Sequence, residues 1–179
     1  FSTNFSENYL YARTGYTGED GVEIMANNED AESLLTFLLE KGIKPCGLGS
    51  RDTLRLEASL PLYGFELSED ITPVEASLTW TITNKNDYLG SKRINDQLSG
   101  ENHKVLKKFI IDSRKIARTE TVGIAGETKG LVTSGNFSPM LNKSIGFILF
   151  ENMPSQDLIE FDIRGNLIEG NIVNKRFLS

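Results

Sequence analysis

Three charged side chains beside two glycine-rich stretches suit the binding of a small polar ligand. Residues 15–21 (GYTGEDG) hold three glycines in seven positions and include Asp20, and Glu23 follows in an apolar run. Arg51 comes directly after residues 47–50 (GLGS), at a predicted helix start where glycines let the chain approach another surface closely. Carboxylates together with a guanidinium suit a ligand that presents paired N–H donors and a carbonyl or carboxylate. The residues alone predict no narrower substrate.

Each of these features also has a plain structural interpretation. The glycine run is typical of a hairpin turn, and it lacks the lysine and the following helix of a phosphate-binding loop. Glu23 would then face water on the polar side of a half-exposed strand, because a buried carboxylate is costly without a partner. Arg55 and Glu57 favour a solvated pair of charges, worth about 0–1 kcal/mol.

The sequence gives little support for a metal site or for a catalytic nucleophile. The chain has one Cys and one His, Cys46 and His103, which lie far apart without the spacing of zinc ligands. A single His gives little support to a Ser-His-Asp triad, and a lone Cys forms no internal disulfide. We therefore expect no metal, and we expect Cys46 to be a small buried apolar residue.

The elements that position the candidate residues follow from the hydrophobic pattern. Strands over residues 9–13 and 22–26 flank the glycine run, which predicts a hairpin. A helix begins near Asn27 or Asn28 and ends at Lys41-Gly42, with apolar residues at positions 31, 34, 35, 38 and 39 along one face. A second, shorter helix is predicted over residues 51–58, so that Arg51 stands at its start.

The rest of the chain changes in character. A strand is predicted over residues 77–83 and a short helix over 92–97, and a polar stretch at 99–102 is the predicted domain boundary. Beyond it come five short β-rich runs, typical of a small barrel or sandwich. They cover residues 106–111, 130–133, 145–150, 158–163 and 167–173.

Composition places the chain among ordinary globular proteins. It has 179 residues and a formal charge of −6, which argues against broad nucleic-acid binding because phosphate contacts need clustered Lys and Arg. No apolar run approaches the roughly 18 residues of a membrane span, so we expect no membrane partner. The first residue is Phe1, and we expect the chain to be processed or cut from something longer.

Four stretches of sequence, in the same order, closely resemble the glycine cleavage system T-protein family, the aminomethyltransferases. They are residues 13–24 (RTGYTGEDGVEI), 46–58 (CGLGSRDTLRLEA) continuing to 60–64 (LPLYG), 69–76 (EDITPVEA) and 130–139 (GLVTSGNFSP). The resemblance extends over nearly the whole chain but only over the C-terminal half of the family.

The resemblance implies a reaction and a fold. T-proteins move the aminomethyl carbon from the lipoyl arm of the H-protein to tetrahydrofolate and release ammonia. The implied partner is therefore lipoylated H-protein and the implied co-substrate is tetrahydrofolate, with no metal and no nucleic acid. The implied fold is α+β, with residues 1–100 as part of a folate-binding α/β sheet domain plus a connection, and residues 101–179 as a small C-terminal β-barrel.

The resemblance also assigns site residues. Glu23 resembles the carboxylate that grips the pterin ring, and Arg51 resembles the arginine that contacts folate. Tyr16 and Tyr63 are further candidates for lining the pterin and benzoyl groups. The family's catalytic aspartate lies in the N-terminal half, so no residue here takes a catalytic role and this chain alone is expected to be inactive.

Two further expectations concern the chain by itself. The family completes the α+β portion with strands from its N-terminal half, so that portion alone should expose apolar surface. We therefore expect the isolated piece to be poorly soluble, to self-associate or to bind folate weakly. The expected location is the bacterial cytoplasm, with the mitochondrial matrix as the alternative.

Two other functions stay open at this point. One is the folate domain of a dimethylglycine- or sarcosine-oxidising enzyme. The other is a non-catalytic folate-binding module of the tRNA-modification or iron–sulfur assembly type. The run 13–23 favours the T-protein over the first, and the absence of a Lys-Gly-Cys-Tyr-like motif disfavours the second.

Overall fold

The computed structural model describes residues 2–83 and 88–178 and divides the chain into two compact units, one ending at Leu60 and the other beginning at Pro61. The first unit contains the strands β1 (Thr3–Phe5), β2 (Tyr9–Ala12) and β3 (Glu23–Ala26) and the helices α1 (Asn28–Glu40) and α2 (Leu48–Glu57). The second contains the 3₁₀ helix Thr79–Thr81, the helix α3 (Ser91–Leu98) and the strands β4 (Val105–Ile111), β5 (Val122–Ala125), β6 (Thr128–Ser138), β7 (Lys143–Phe150), β8 (Leu158–Ile163) and β9 (Asn166–Val173). The predicted domain boundary near residue 100 stays a prediction.

A small antiparallel sheet of order β1-β2-β3 supports the first unit. Strands β2 and β3 pair from Tyr9↔Ala26 to Ala12↔Glu23, which confirms the predicted hairpin around the glycine run. Strand β1 pairs with β2 on the other side and was not predicted, because three residues carry too little pattern.

The predicted long helix is confirmed as α1. Asn27 precedes it in an extended conformation, Glu29 and Asp30 occupy its first turn, and Gly42 follows it with a φ of 81°. None of its side chains is buried. Of the predicted apolar stripe, Leu34 and Leu38 are half-buried and the other three residues are exposed, so the first unit covers the stripe only in part.

Two expectations about single side chains of the first unit are wrong. Arg55 and Glu57 are not a solvated pair: they are 2% and 3% exposed, and Arg55 binds Asp52 one turn earlier. Spacing along a helix shows which residues are neighbours but not which face is buried. Cys46 is exposed, because it stands in the loop before α2 rather than under a packed element.

The predicted strand over residues 77–83 is also wrong. Ser77 has a φ of 58°, outside the extended region, and residues 79–81 form a 3₁₀ turn instead. The backbone N–H of Leu78 donates to the Pro73 carbonyl at 2.8 Å, a hydrogen bond that closes a turn and does not pair two strands.

Helix α3 confirms the short helix predicted over residues 92–97.

The second unit is dominated by a closed barrel of order β4-β7-β6-β5-β8-β9, in which every neighbouring pair is antiparallel. Its interior is filled by Phe109, Ile148, Phe150 and Phe161, all essentially inaccessible to solvent. The Phe109 and Phe161 rings lie 4.7 Å apart between centroids. The predicted α+β class with an all-β barrel is confirmed.

Candidate functional site

The glycine-rich loop between β2 and β3 is closed by an ion pair across its base. Nε of Arg13 donates to Oδ1 of Asp20 at 3.0 Å, and Nη2 donates to Oδ2 at 2.8 Å. This two-pronged contact lowers the pKa of Asp20 below its usual value. The sequence suggested Asp20 as a ligand-binding carboxylate, but in the structure Asp20 is engaged by Arg13 and shapes the loop.

The tip of the same loop packs against the end of α2. Gly18 has a φ of 81°, and a Cβ placed there would lie 2.6 Å from the Cβ of Ala58. Only glycine combines this backbone conformation with so close an approach. The loop is thereby held against the residue that caps α2 at its C-terminal end.

A buried charge fixes that end of α2. Nε of Arg55 donates to Oδ1 of Asp52 at 2.9 Å, and Nη1 donates to the Leu60 carbonyl at 3.3 Å. The side chain of Arg55 therefore ties the middle of α2 to the chain that leaves it. A buried guanidinium needs such partners, since desolvating an unpaired charge costs several kcal/mol.

At the other end of α2, Arg51 lies against an aromatic ring of the glycine loop. Its guanidinium carbon is 4.6 Å from the centroid of the Tyr16 ring, within the range of a cation–π contact. The structure thus brings together two of the four residues, Glu23, Arg51, Tyr16 and Tyr63, that the family resemblance assigns to ligand binding. The guanidinium edge of Arg51 donates no hydrogen bond to another described residue.

Glu23 stands where the glycine loop re-enters the sheet. It is the first residue of β3, it pairs with Ala12 across the hairpin, and it is exposed. Among the described residues, its carboxylate takes part in no hydrogen bond or ion pair. Ile24 and Met25 beside it are also exposed, so its exposure does not mark a polar face of the strand.

Tyr63, the remaining candidate, belongs to the second unit. It lies in a tight turn in which the N–H of Gly64 donates to the Leu67 carbonyl at 2.7 Å. The N–H of Leu62 donates to a carboxylate oxygen of the buried Glu66 at 2.9 Å. This well-anchored turn presents the Tyr63 side chain with 68% of its surface exposed.

A small cavity of about 270 Å³ lies next to the base of the loop. Its lining includes Tyr11, Arg13, Asp20 and Val22, but neither Glu23 nor Arg51. Sequence reasoning missed Arg13 as the residue that closes the loop. Opposite charges on the two sides of a glycine-rich turn were the signal that could have revealed it.

Large apolar side chains of the first unit are exposed on both its sheet and its helices. Met25 is 69% exposed and Leu48 is 84% exposed, and Leu35, Phe37 and Ile43 each expose more than half of their surface. So many large apolar side chains left exposed in one small unit are typical of a surface that is covered by further polypeptide. The expectation that this portion exposes apolar surface is confirmed.

Over residues 2–83 and 88–178, no group of three His, Cys, Asp or Glu side chains lies close enough together to hold a metal ion. No helix in those ranges is long and apolar enough to cross a membrane.

Comparison with known families gives two matches along the chain. The family model described as "GCVT N-terminal domain" matches residues 5–86. The model described as "Glycine cleavage T-protein C-terminal barrel domain" matches residues 104–178, which contain the closed barrel.

Curated relatives and a solved structure agree with these matches. The aminomethyltransferase of Bacillus mycoides (strain KBAB4) is 45% identical over 177 aligned positions, covering 94% of this chain and 48% of the relative. That of Bacillus licheniformis is 43% identical, covering 94% and 49%. The crystal structure of the glycine cleavage system aminomethyltransferase T from Bartonella henselae superposes with a TM-score of 0.86 at 29% identity, covering 97% of this chain and 50% of that chain. The chain therefore spans about half the length of the curated relatives it matches.

Proposed function

Because the chain belongs to the glycine cleavage T-protein family, we propose that it is part of a tetrahydrofolate-dependent aminomethyltransferase. The parent protein, meaning this chain within a polypeptide of the relatives' length, would take the aminomethyl group from lipoylated H-protein. It would pass the carbon to tetrahydrofolate and release ammonia. The relatives are named aminomethyltransferases, which does not favour a tRNA-modification, iron–sulfur assembly or dimethylglycine- or sarcosine-oxidising role.

The contact between Arg51 and Tyr16 is the observation that supports a folate site best. The Tyr16 ring holds the guanidinium of Arg51 in place by a cation–π contact, and the N–H donors of that guanidinium make no hydrogen bond to another described residue, which leaves them for a ligand. A planar fork of donors matches the carbonyl and carboxylate oxygens of folate. We therefore assign Arg51 to binding folate oxygens, and Tyr16 to holding Arg51 and lining the pterin.

Glu23 is assigned to the pterin ring. The ring N–H and the exocyclic amine of the pterin form a pair of parallel donors that one carboxylate can accept together. The Glu23 carboxylate is exposed, has no partner among the described residues, and stands at the end of a loop anchored by Gly18 and by the Arg13–Asp20 pair, which suits it to this task. Tyr63, exposed on its anchored turn, is assigned to lining the benzoyl group.

The remaining parts of the proposal concern what lies outside this chain. The exposed apolar face of the first unit supports completion of a folate-binding domain over residues 1–100 by the polypeptide that the relatives have in addition. Residues 101–179 would be the C-terminal barrel domain. The catalytic group would come from the additional polypeptide, so this chain alone would be inactive. The relatives are bacterial, and we place the protein in the bacterial cytoplasm.

The proposal can be tested by measuring aminomethyl transfer in the parent protein. Aminomethyl-loaded H-protein is mixed with tetrahydrofolate, and ammonia and methylenetetrahydrofolate are followed for the wild type and for Arg51→Lys. The lysine keeps the charge but loses the planar fork and the ring contact, so KM for tetrahydrofolate should rise about tenfold with a smaller change in kcat.

A matched control is Lys44→Gln, which removes an exposed cation of the loop before α2 and should leave both constants unchanged. Absence of ammonia release by the wild type would contradict the proposed reaction. An unchanged KM in Arg51→Lys would contradict only the role of Arg51.

A further inference from the structure

A cationic cleft of about 470 Å³ opens at one end of the barrel. Four positively charged side chains line it, and they are Arg114, Lys115, Arg118 and Arg164. Among the described residues that line it, Asp162 is the only acidic one, so these residues carry a formal charge of +3 in a chain whose formal charge is −6. This local excess of positive charge distinguishes the cleft from the acidic protein as a whole.

One wall of the cleft is the connection between β4 and β5, which is held firmly in place. Ala117 in its middle is 1% exposed, and its carbonyl lies against Gly135 so closely that any side chain at residue 135 would collide with it. The N–H of Ser144 donates to the Ser113 carbonyl at 3.0 Å, and the hydroxyl of Thr119 donates to the Thr133 carbonyl at 3.1 Å. The three cations of this connection therefore project from a fixed backbone.

The opposite wall is the hairpin turn between β8 and β9. Ile163 pairs with Asn166, and the two residues between them have positive φ values of 57° and 76°, as in a type I′ turn. The N–H of Gly165 donates to Oδ1 of Asp162 at 2.8 Å. Asp162 is thus engaged with its own turn, and Arg164 occupies the tip of a short, regular hairpin.

Within residues 2–83 and 88–178, no acidic side chain forms an ion pair with any of these four cations, and none of their charged groups donates a hydrogen bond. The guanidinium of Arg114 lies 5.1 Å from the centroid of the Phe137 ring, which orients it without neutralising its charge. Like charges held close together on a rigid frame repel one another, and a bound anion would remove that repulsion.

We propose that this cleft binds a small polyanion, a molecule that carries two or more phosphate or carboxylate groups. The volume is that of a small-molecule site, and the cations stand on both walls, so that one extended ligand could contact them together. Arginine forks suit both carboxylate and phosphate oxygens. The acidic charge of the chain as a whole disfavours nucleic acid as the occupant.

The test uses the 179-residue chain and two probes of similar charge, inorganic tripolyphosphate and the peptide triglutamate. Each is titrated by calorimetry at low and at moderate salt, with the wild type, the double variant Arg118→Gln/Arg164→Gln and the control Lys175→Gln. Lys175 is an exposed cation of the second unit that does not line the cleft. Backbone amide spectra of each variant establish that the barrel is folded, and they also map the residues that respond to each probe.

We expect saturable binding of one equivalent, weakened about tenfold or more in the double variant and by rising salt, and unchanged in the control. If only tripolyphosphate binds, the cleft is a phosphate site, and if only triglutamate binds, it is a carboxylate site. If both bind, the cleft recognises any small molecule with several negative charges. Failure of both probes to bind the wild type would overturn the proposal. So would equal binding by the wild type and a folded double variant, or shifts of amide signals confined to residues outside the cleft.

Discussion

The guanidinium carbon of Arg51 lies 4.6 Å from the centroid of the Tyr16 ring, and this contact joins the glycine-rich loop to the start of α2. The two residues belong to different stretches of sequence, and each stretch resembles a T-protein motif. A second contact, between Gly18 and Ala58, joins the same loop to the other end of α2. The loop therefore lies along the helix and is fixed to it at two points.

Replacing Gly18 by alanine tests whether the loop depends on close packing against α2. We expect Gly18→Ala to lower the free energy of unfolding by about 2–4 kcal/mol, because it adds a collision with Ala58 to the cost of a positive φ. Denaturant unfolding of the 179-residue chain measures this loss. Gly42 has the same φ of 81° with no atom near its absent side chain, so Gly42→Ala is the matched control.

The control should cost only about 1–2 kcal/mol, the penalty for a left-handed residue. Equal losses in the two variants would mean that the loop does not press against Ala58.

The Arg13–Asp20 pair predicts a pH effect of defined sign. Because Arg13 lowers the pKa of Asp20 in the folded chain, the pair stabilises the loop fully above the ordinary Asp pKa of about 3.9. That contribution disappears as the pH falls through the lowered pKa. Carbon-detected NMR titration should show the Asp20 pKa returning towards its ordinary value in Arg13→Gln and staying low in Lys44→Gln. An Asp20 pKa that is the same in Arg13→Gln and in the wild type would show that the pair does not form in solution.

The exposed apolar face of the first unit predicts self-association of this chain by itself. At increasing concentration, sedimentation should show species larger than a monomer, because Leu35, Phe37 and several other large apolar side chains of this unit are exposed. Leu35→Ser/Phe37→Ser should reduce that association. Leu167→Ser removes an apolar side chain of the barrel that is 74% exposed and should have little effect. A wild-type chain that stays monomeric at high concentration would contradict this prediction.

Local patterns in the sequence predicted the elements whose signals are local. The spacing of Leu34 and Leu38 within α1, and the turn residues between the barrel strands, are sufficient for those elements. Strand β5 escaped prediction because it has only four residues and contains Gly123, whose missing side chain makes room for Ile148 and Phe161. Residues 77–83 have the composition of a strand, but the positive φ of Ser77 turns the chain instead.

The candidate site was predictable as a set of residues but not as an arrangement. The motif resemblance selected Tyr16, Glu23 and Arg51, and the structure joins the first and the last of these. The close approach of Gly18 to Ala58, which holds the same loop against α2, is encoded by no local pattern either. The burial of Arg55 depends on tertiary neighbours, which is why its exposure was misjudged. The Arg13–Asp20 pair is local, and its signal was the opposite charges on the two sides of the glycine-rich turn.

The most direct test of the account is the affinity of the parent protein for tetrahydrofolate, measured by calorimetry for the wild type, Glu23→Ala and the control Glu40→Ala. Glu40 is an exposed carboxylate at the end of α1. Removing the carboxylate that accepts the pterin donors should cost about 2–4 kcal/mol of binding free energy, while Glu40→Ala should bind as the wild type does. Wild-type affinity in a folded Glu23→Ala variant would contradict the account, because the residue assigned to the pterin would then make no contact with it.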